Sequence, residues 1–151
     1  MNKQELINMF TDFIEERFPE LIEESEPSFQ NGDYYWVIDC FGDAIIMSWN
    51  GDVCDKKALK NNAIFKTEEE AKFEAERLKV LRELEKLGRP FVDGGDNWGF
   101  FLNEKDDLAV NCLLNCRCVY GDYYFDTAEE VEKSINKIGR NRIKKYLFRV
   151  E

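Results

Sequence analysis

The segment 65–88 most constrains the fold, because its sequence predicts a long helix with both ends marked. Thr67 and Glu70 have the spacing of a capping box at the helix start. Neither Gly nor Pro interrupts the stretch between Glu68 and Leu87, so a helix of about 30 Å is favoured. We expect Gly88 to end it in a left-handed conformation.

The start of this helix recurs further along the chain. Residues 125–131 (FDTAEEV) repeat the pattern of residues 65–71 (FKTEEEA). Trp36 precedes the first copy by nearly the same distance as Trp98 precedes the second. The chain is therefore predicted to contain two copies of one unit.

Each copy begins with a predicted β-hairpin. Aromatic and β-branched runs favour strands, and Gly-Asp and Asn-Gly pairs mark the turns. The predicted strands are 34–39 and 44–49 in the first copy, and 97–103 and 108–114 in the second, with short third strands at 63–65 and 123–125. Residues 56–62 are expected to form a polar loop.

The remaining helices complete the predicted architecture. They span 2–18 at the N-terminus, 128–138 with Gly139 following its end, and 141–148. We predict an α+β fold of two ββ(β)α repeats with small antiparallel sheets, preceded by an amphipathic N-terminal helix. The expected divisions are 1–33 (acidic helix and linker), 34–90 (first repeat) and 91–151 (second repeat with the C-terminal helix).

Charge is concentrated at the N-terminus. The chain has 31 acidic and 21 basic residues and a net charge of −10. Residues 1–33 hold nine acidic and two basic residues, which leaves a net −3 on the rest. Because nucleic-acid binding depends on neutralising phosphates, direct binding to DNA or RNA is disfavoured.

The sequence offers few residues for catalysis. It contains no His, which is the most common general base, and no nucleotide-binding or nucleophile motif. We therefore expect a protein that is not an enzyme and that uses no cofactor. The spacing Cys112-x3-Cys116-x-Cys118, with Cys40 or Cys54, suggests a thiolate metal site as a minor alternative, but it departs from paired zinc-ligand spacing. Our prediction is no metal site.

Three segments carry a resemblance to a known group of proteins. They are 65–71 leading into 78–81 (LKVL), the ending from Ile138-Gly139 through 142–148 to Val150-Glu151, and the strand start at Tyr35-Trp36. The chain resembles small acidic uncharacterised proteins of phages and prophages of Gram-positive bacteria over most of 34–151. The resemblance implies a phage origin and an anti-defence role, in which such proteins bind and block host proteins such as CRISPR effectors.

Charge and resemblance together predict a function. We expect a phage-encoded, non-enzymatic inhibitor that binds a basic host protein such as a nucleic-acid-guided nuclease complex, in an anti-CRISPR-like manner. Acidic side chains can imitate a phosphate backbone, so the chain would act as a DNA mimic. The expected partner-binding residues are the most acidic cluster: Glu15, Glu16, Glu20, Glu23, Glu24 and Glu26.

The alternative function is a structural or regulatory phage protein. It would self-associate, as a homodimer for example, through the apolar stripe of the N-terminal helix. The sequence has no apolar run of membrane-spanning length and no signal peptide. The expected location is therefore the host cytoplasm, without membrane contact.

Overall fold

A computed structural model describes residues 29–113 and 123–150 of the chain. It also describes seven separate positions nearer the N-terminus: Glu5, Leu6, Met9, Phe10, Asp12, Phe13 and Arg17. The predicted N-terminal helix lies largely outside the described residues and stays a prediction. The α+β class is confirmed, because helices pack beside two separate antiparallel sheets of two strands each.

Nine elements follow one another in the described chain. They are β1 (Tyr34–Ile38), β2 (Ala44–Ser48), α1 (Val53–Lys60), α2 (Glu68–Leu87), β3 (Trp98–Leu102), β4 (Leu108–Cys112), α3 (Ala128–Ile138), α4 (Arg140–Ile143) and a π-helical turn, Lys144–Phe148. The final helix predicted at 141–148 therefore begins one residue earlier, at Arg140, and changes from α-helical to π-helical geometry after Ile143.

The two hairpins have closely matched turns. In the first, Asp39 Oδ1 accepts hydrogen bonds from the backbone N–H of Phe41 and of Asp43. In the second, Asn103 Oδ1 accepts in the same way from Lys105 and Asp107. Side-chain acceptance two residues on is the reason Asp and Asn favour such turns.

Each hairpin is also joined to the segment that leads into a helix. Trp36 exchanges two backbone hydrogen bonds of 2.9 Å with Phe65, and Trp98 pairs with Phe125 in the same manner. These are single bridges where short third strands were expected. Trp36 lies opposite Ile46 at the middle of its hairpin, whereas Trp98 lies at the end of its own. The internal duplication stays a prediction.

The long helix α2 has the predicted bounds. Thr67 accepts a hydrogen bond from the N–H of Glu70, and the Glu70 side chain accepts one from Thr67, as a capping box requires. The expectation for Gly88 is wrong, because its backbone is extended, with φ −95°. The residue is small for another reason: a Cβ there would lie 2.9 Å from the Cβ of Tyr123.

The main core lies between α2, the second hairpin and the C-terminal helices. Its buried side chains come from all of these elements: Val80, Leu84, Phe100, Leu108, Tyr123, Phe125, Val131, Ile135, Ile138 and Ile143. Arg142 reinforces the contact between α4 and α2 through ion pairs of 2.6 Å with Glu83 and 3.3 Å with Glu76. Residues of both predicted repeats therefore share one core.

The segment between α2 and β3 is held by two polar side chains. Asn97 is completely buried, and its side chain bonds with the N–H and C=O of Val92 and with the C=O of Gly95. Arg89 donates to Asn97 and forms a 2.6 Å ion pair with Asp126. The predicted linker at 89–96 is thus fixed against the start of α3.

One predicted loop is wrong. Residues 53–60 form α1, where a polar loop was expected at 56–62. Asp52 caps this helix, and Asp52 and Asp55 accept hydrogen bonds from each other's backbone N–H in a capping box. The Asp-x-x-Asp spacing of a capping box was visible in the sequence. The residues that follow include several lysines and show no apolar stripe at helical spacing, so a loop was predicted.

The close approach at Gly88 gives a test of the fold. We expect Gly88→Ala to lower the free energy of unfolding by about 1–3 kcal/mol, because the added methyl group must push the Tyr123 segment away. Gly99→Ala is the matched control, since a Cβ at that buried strand position meets only Leu113 Cδ1, at 3.8 Å. Urea denaturation measures both variants. Equal stabilities for the two variants would contradict the tight contact.

Candidate protein-binding surface

The predicted acidic site lies outside the described residues. All six of its glutamates, at positions 15, 16, 20, 23, 24 and 26, belong to the part of the chain that the structure leaves undescribed. The same holds for Cys116 and Cys118. Within the described ranges, no group of His, Cys, Asp and Glu side chains is placed to bind a metal ion.

Many described carboxylates are paired with basic side chains of the scaffold. Besides the pairs at Arg142 and Arg89, Arg140 contacts Asp107 and Glu132, and Arg77 contacts Glu74. These pairs join neighbouring elements or turns of one helix. These carboxylates therefore already have a basic partner within the scaffold.

The first hairpin exposes apolar side chains that the core does not use. Three consecutive residues of β2 are exposed, Ile45 by 39%, Ile46 by 52% and Met47 by 41%. Phe41, at the tip of the hairpin, is 82% exposed. Side chains on a strand alternate between two faces, so β2 shows apolar groups to solvent on both. We call Phe41, Ile45, Ile46 and Met47 the hairpin patch.

The second hairpin differs from the first, because the main core covers its corresponding apolar residues. By its position after the turn, Val110 of β4 corresponds to Ile46 of β2. Val110 is partly buried against the main core, and Leu108 of the same strand is fully within it. Exposed apolar groups that are concentrated on one element mark an interaction surface more often than scattered ones do. The hairpin patch is therefore our candidate site.

A buried hydrogen bond fixes the hairpin to α1. The Tyr35 hydroxyl donates to Asp55 Oδ1 at 2.5 Å. Asp55 Oδ2 accepts from the backbone N–H groups of Asn50 and Gly51, at 2.7 and 2.8 Å. The hydrogen bond from Tyr35 is the main reason that the pKa of Asp55 is lowered. Burial, followed by this carboxylate, raises the pKa of Tyr35 to about 12.

Aromatic packing completes this attachment. Phe29 stacks on Trp49 with ring centroids 5.0 Å apart and meets the Tyr35 ring edge-on. Trp49 and Tyr35 are both buried. Phe29 thus packs with the first hairpin, although the sequence placed it in the N-terminal linker.

Grooves run beside the hairpin. One of about 520 Å³ is lined by Tyr35, Val37, Met47, Cys54, Ala58 and Leu78, among others. A second cleft of about 630 Å³ lies between α2 and the C-terminal turn, where Glu69, Glu70 and Glu74 face Lys145 and Arg149. The first groove continues the apolar character of the hairpin patch, since Met47 belongs to both.

Sequence reasoning missed the hairpin patch. The available signal was the run Ala44-Ile45-Ile46-Met47, which is apolar without the alternation of a half-buried strand. Such a run is also typical of a strand buried on both faces. Only the placement of the hairpin outside the main core separates the two cases.

Comparison of the chain with protein-family models, with curated proteins and with solved structures gave no match. None of the helices in the described part of the chain is both long and apolar enough to cross a membrane.

The Tyr35–Asp55 contact predicts alkaline destabilisation. Tyr35 ionises near pH 10 when unfolded and near pH 12 when folded. Between these values the unfolded chain binds fewer protons, so the free energy of unfolding should fall as pH rises. This slope is set by the difference in the number of bound protons between the folded and unfolded states. Tyr35→Phe should reduce that difference by up to one proton. Tyr34→Phe, an exposed neighbour, is the control and should retain it. Urea denaturation from pH 9 to 12 measures the difference, and identical slopes in the two variants would contradict the assignment.

Proposed function

We propose that this chain is a phage- or prophage-encoded inhibitor that binds a host nucleic-acid-directed defence protein in the host cytoplasm and catalyses no reaction. The observation that carries the proposal is the hairpin patch, an apolar surface that the described core leaves exposed. Phe41 and Met47 are residue types enriched at the centre of protein–protein contacts, where a few buried side chains supply most of the affinity.

The acidic N-terminal residues would supply the electrostatic part of the contact. Residues 1–33 carry a net negative charge, which is opposite in sign to the basic channel of a nucleic-acid-guided nuclease. Charge complementarity of this kind accelerates association and makes it sensitive to salt. In this proposal Glu15, Glu16, Glu20, Glu23, Glu24 and Glu26 imitate phosphates, while the hairpin patch slows dissociation.

Purified guide-loaded nucleases provide the test. We expect the chain to inhibit target cleavage by at least one of a panel of such complexes. Reversing the six glutamates to lysine should weaken binding at least tenfold, about 1.4 kcal/mol, chiefly by slowing association. Phe41→Asp should weaken binding chiefly by speeding dissociation.

Phe101→Asp is the matched control for the second variant, because Phe101 is also exposed but lies on β3, away from the hairpin patch. Binding unchanged by the six reversals would refute the phosphate-mimicry part. Equal loss in Phe41→Asp and Phe101→Asp would refute the hairpin patch. A panel without inhibition would count against the inhibitor function itself.

A second candidate function is a structural or regulatory phage protein that self-associates through its N-terminal segment. The observation that favours it is the exposure of Leu6, Met9 and Phe10. An apolar cluster left in water favours association.

A truncated chain tests this alternative. It should begin at Ser28, so that Phe29 remains to stack on Trp49. If the N-terminal segment drives assembly, light scattering should show an oligomer for the full chain and a monomer for the truncated one. An unchanged oligomer after truncation would eliminate this route.

A further inference from the structure

Among the described residues, none forms a hydrogen bond with the outward backbone groups of β2. Antiparallel pairs alternate between hydrogen-bonded and non-hydrogen-bonded positions. Backbone bonds from Trp49 to Asp33 and from Asp39 to Asp43 fix the phase of the first hairpin. Residues 35 and 37 therefore bond to 47 and 45, while the remaining pairs point their N–H and C=O groups outward. On β2 the outward residues are Ala44, Ile46 and Ser48.

On the β1 side the same phase is visible directly, because outward-pointing Trp36 bonds to Phe65 through both of its backbone groups. On the β2 side, no described residue bonds to the backbone of Ala44, Ile46 or Ser48. An unpaired, apolar edge of this kind is a template for another strand, and soluble proteins ordinarily block it.

The equivalent edge of β4 is satisfied at two of its outward residues, Leu108 and Cys112. Arg140 donates a 2.8 Å hydrogen bond to the outward C=O of Leu108. The side chain of Asn111 accepts from the N–H of Cys112. By contrast, the sequence Ala44-Ile45-Ile46-Met47-Ser48 has no charged residue and no Pro, and both are common means of protecting an edge.

We infer that the edge of β2 pairs with β2 of a second copy of this chain, antiparallel and about a two-fold axis through Ile46. In this register Ile46 lies opposite Ile46 of the partner, Ala44 opposite Ser48, and Ile45 opposite Met47. Both faces are then apolar or small at every pair, as an isologous contact requires. The two hairpins become one sheet of four strands, a far more common size than two.

Charge does not oppose a second copy along β2 itself. The chain carries a net −10, so most surfaces of two copies repel each other. The pairing places no two charged residues opposite each other along β2, and Asp43, at its end, would face Trp49. Asp43 is moreover paired with Lys79 at 3.4 Å. No residue of β2 itself is charged, so the pairing adds no like-charge contact along the strand.

The first test is the oligomeric state of the intact chain. Sedimentation velocity over a wide concentration range should show a reversible monomer–dimer equilibrium. Ile46→Lys, which places two like charges at the axis, should raise the dimer Kd more than about tenfold. Ile46→Pro removes an outward N–H without touching a hydrogen bond of the hairpin, and should have the same effect. Phe101→Lys, an exposed apolar residue of β3, is the control and should leave the Kd unchanged.

Amide hydrogen exchange of the unmodified chain gives a second readout that does not depend on the folding of any variant. The N–H groups of Ile45 and Met47 should be protected at all concentrations, because they bond to β1. Those of Ala44, Ile46 and Ser48 should gain protection only as concentration rises. A monomer at all concentrations, or a dimer that survives both Ile46 variants, would overturn the inference. Protection of Ile46 that is independent of concentration would also overturn it, since another segment of the same chain would then occupy the edge.

Discussion

The packing of α2 on two sides holds the described structure together. Val80 and Leu84 are completely buried in the main core, whereas Ala71 and Ala75 are buried nearer the helix start. Two small residues there allow close approach, and this helix contacts β1, β2, α3 and the π-helical turn. Each element contributes little apolar area alone, and a two-stranded hairpin is only marginally stable. The first hairpin therefore depends on α2, on Phe65 and on the contact of Tyr35 with Asp55.

The sequence predicted the elements whose signals are local. Thr67 caps its helix as expected, because capping depends on residues three positions apart. Thr127 accepts from the N–H of Glu130 in the same way. Gly88 was misjudged, since its small size serves a contact with Tyr123, thirty-five residues away. The lysines of α1 led to the prediction of a loop, whereas the segment is a helix stabilised by the buried carboxylate of Asp55. Long-range packing decided the case of Gly88, and neither local propensity nor periodicity contains that information. In α1 the local capping signal of Asp52 and Asp55 was present, and the distant contact is the one from Tyr35 to Asp55.

The proposed binding surface has two parts, of which the acidic part stays a prediction because its residues lie outside the described structure. Net charge is a property of composition, and the six N-terminal glutamates could be named from the sequence alone. The hairpin patch depends on which of two similar hairpins is buried. Ile46 and Val110 occupy corresponding strand positions, yet the core covers only the second. The two halves would do different work in a complex, because exposed charges mainly set association rates while buried apolar contacts mainly set residence times.

The difference between the two strand edges bears on how the molecule avoids aggregation. At β4 the guanidinium of Arg140 and the amide of Asn111 satisfy outward backbone groups. At β2 the neighbouring cation, Lys79, is directed to Asp43 and Glu76 instead. An edge left in this state would pair without limit if both sides of a sheet were open. Here the bridge between Trp36 and Phe65 occupies the middle of the β1 side, which opposes further pairing at that edge. A dimer of this kind uses the open β2 edge of each copy. On the opposite side of the sheet, Phe65 already bonds to both outward backbone groups of Trp36.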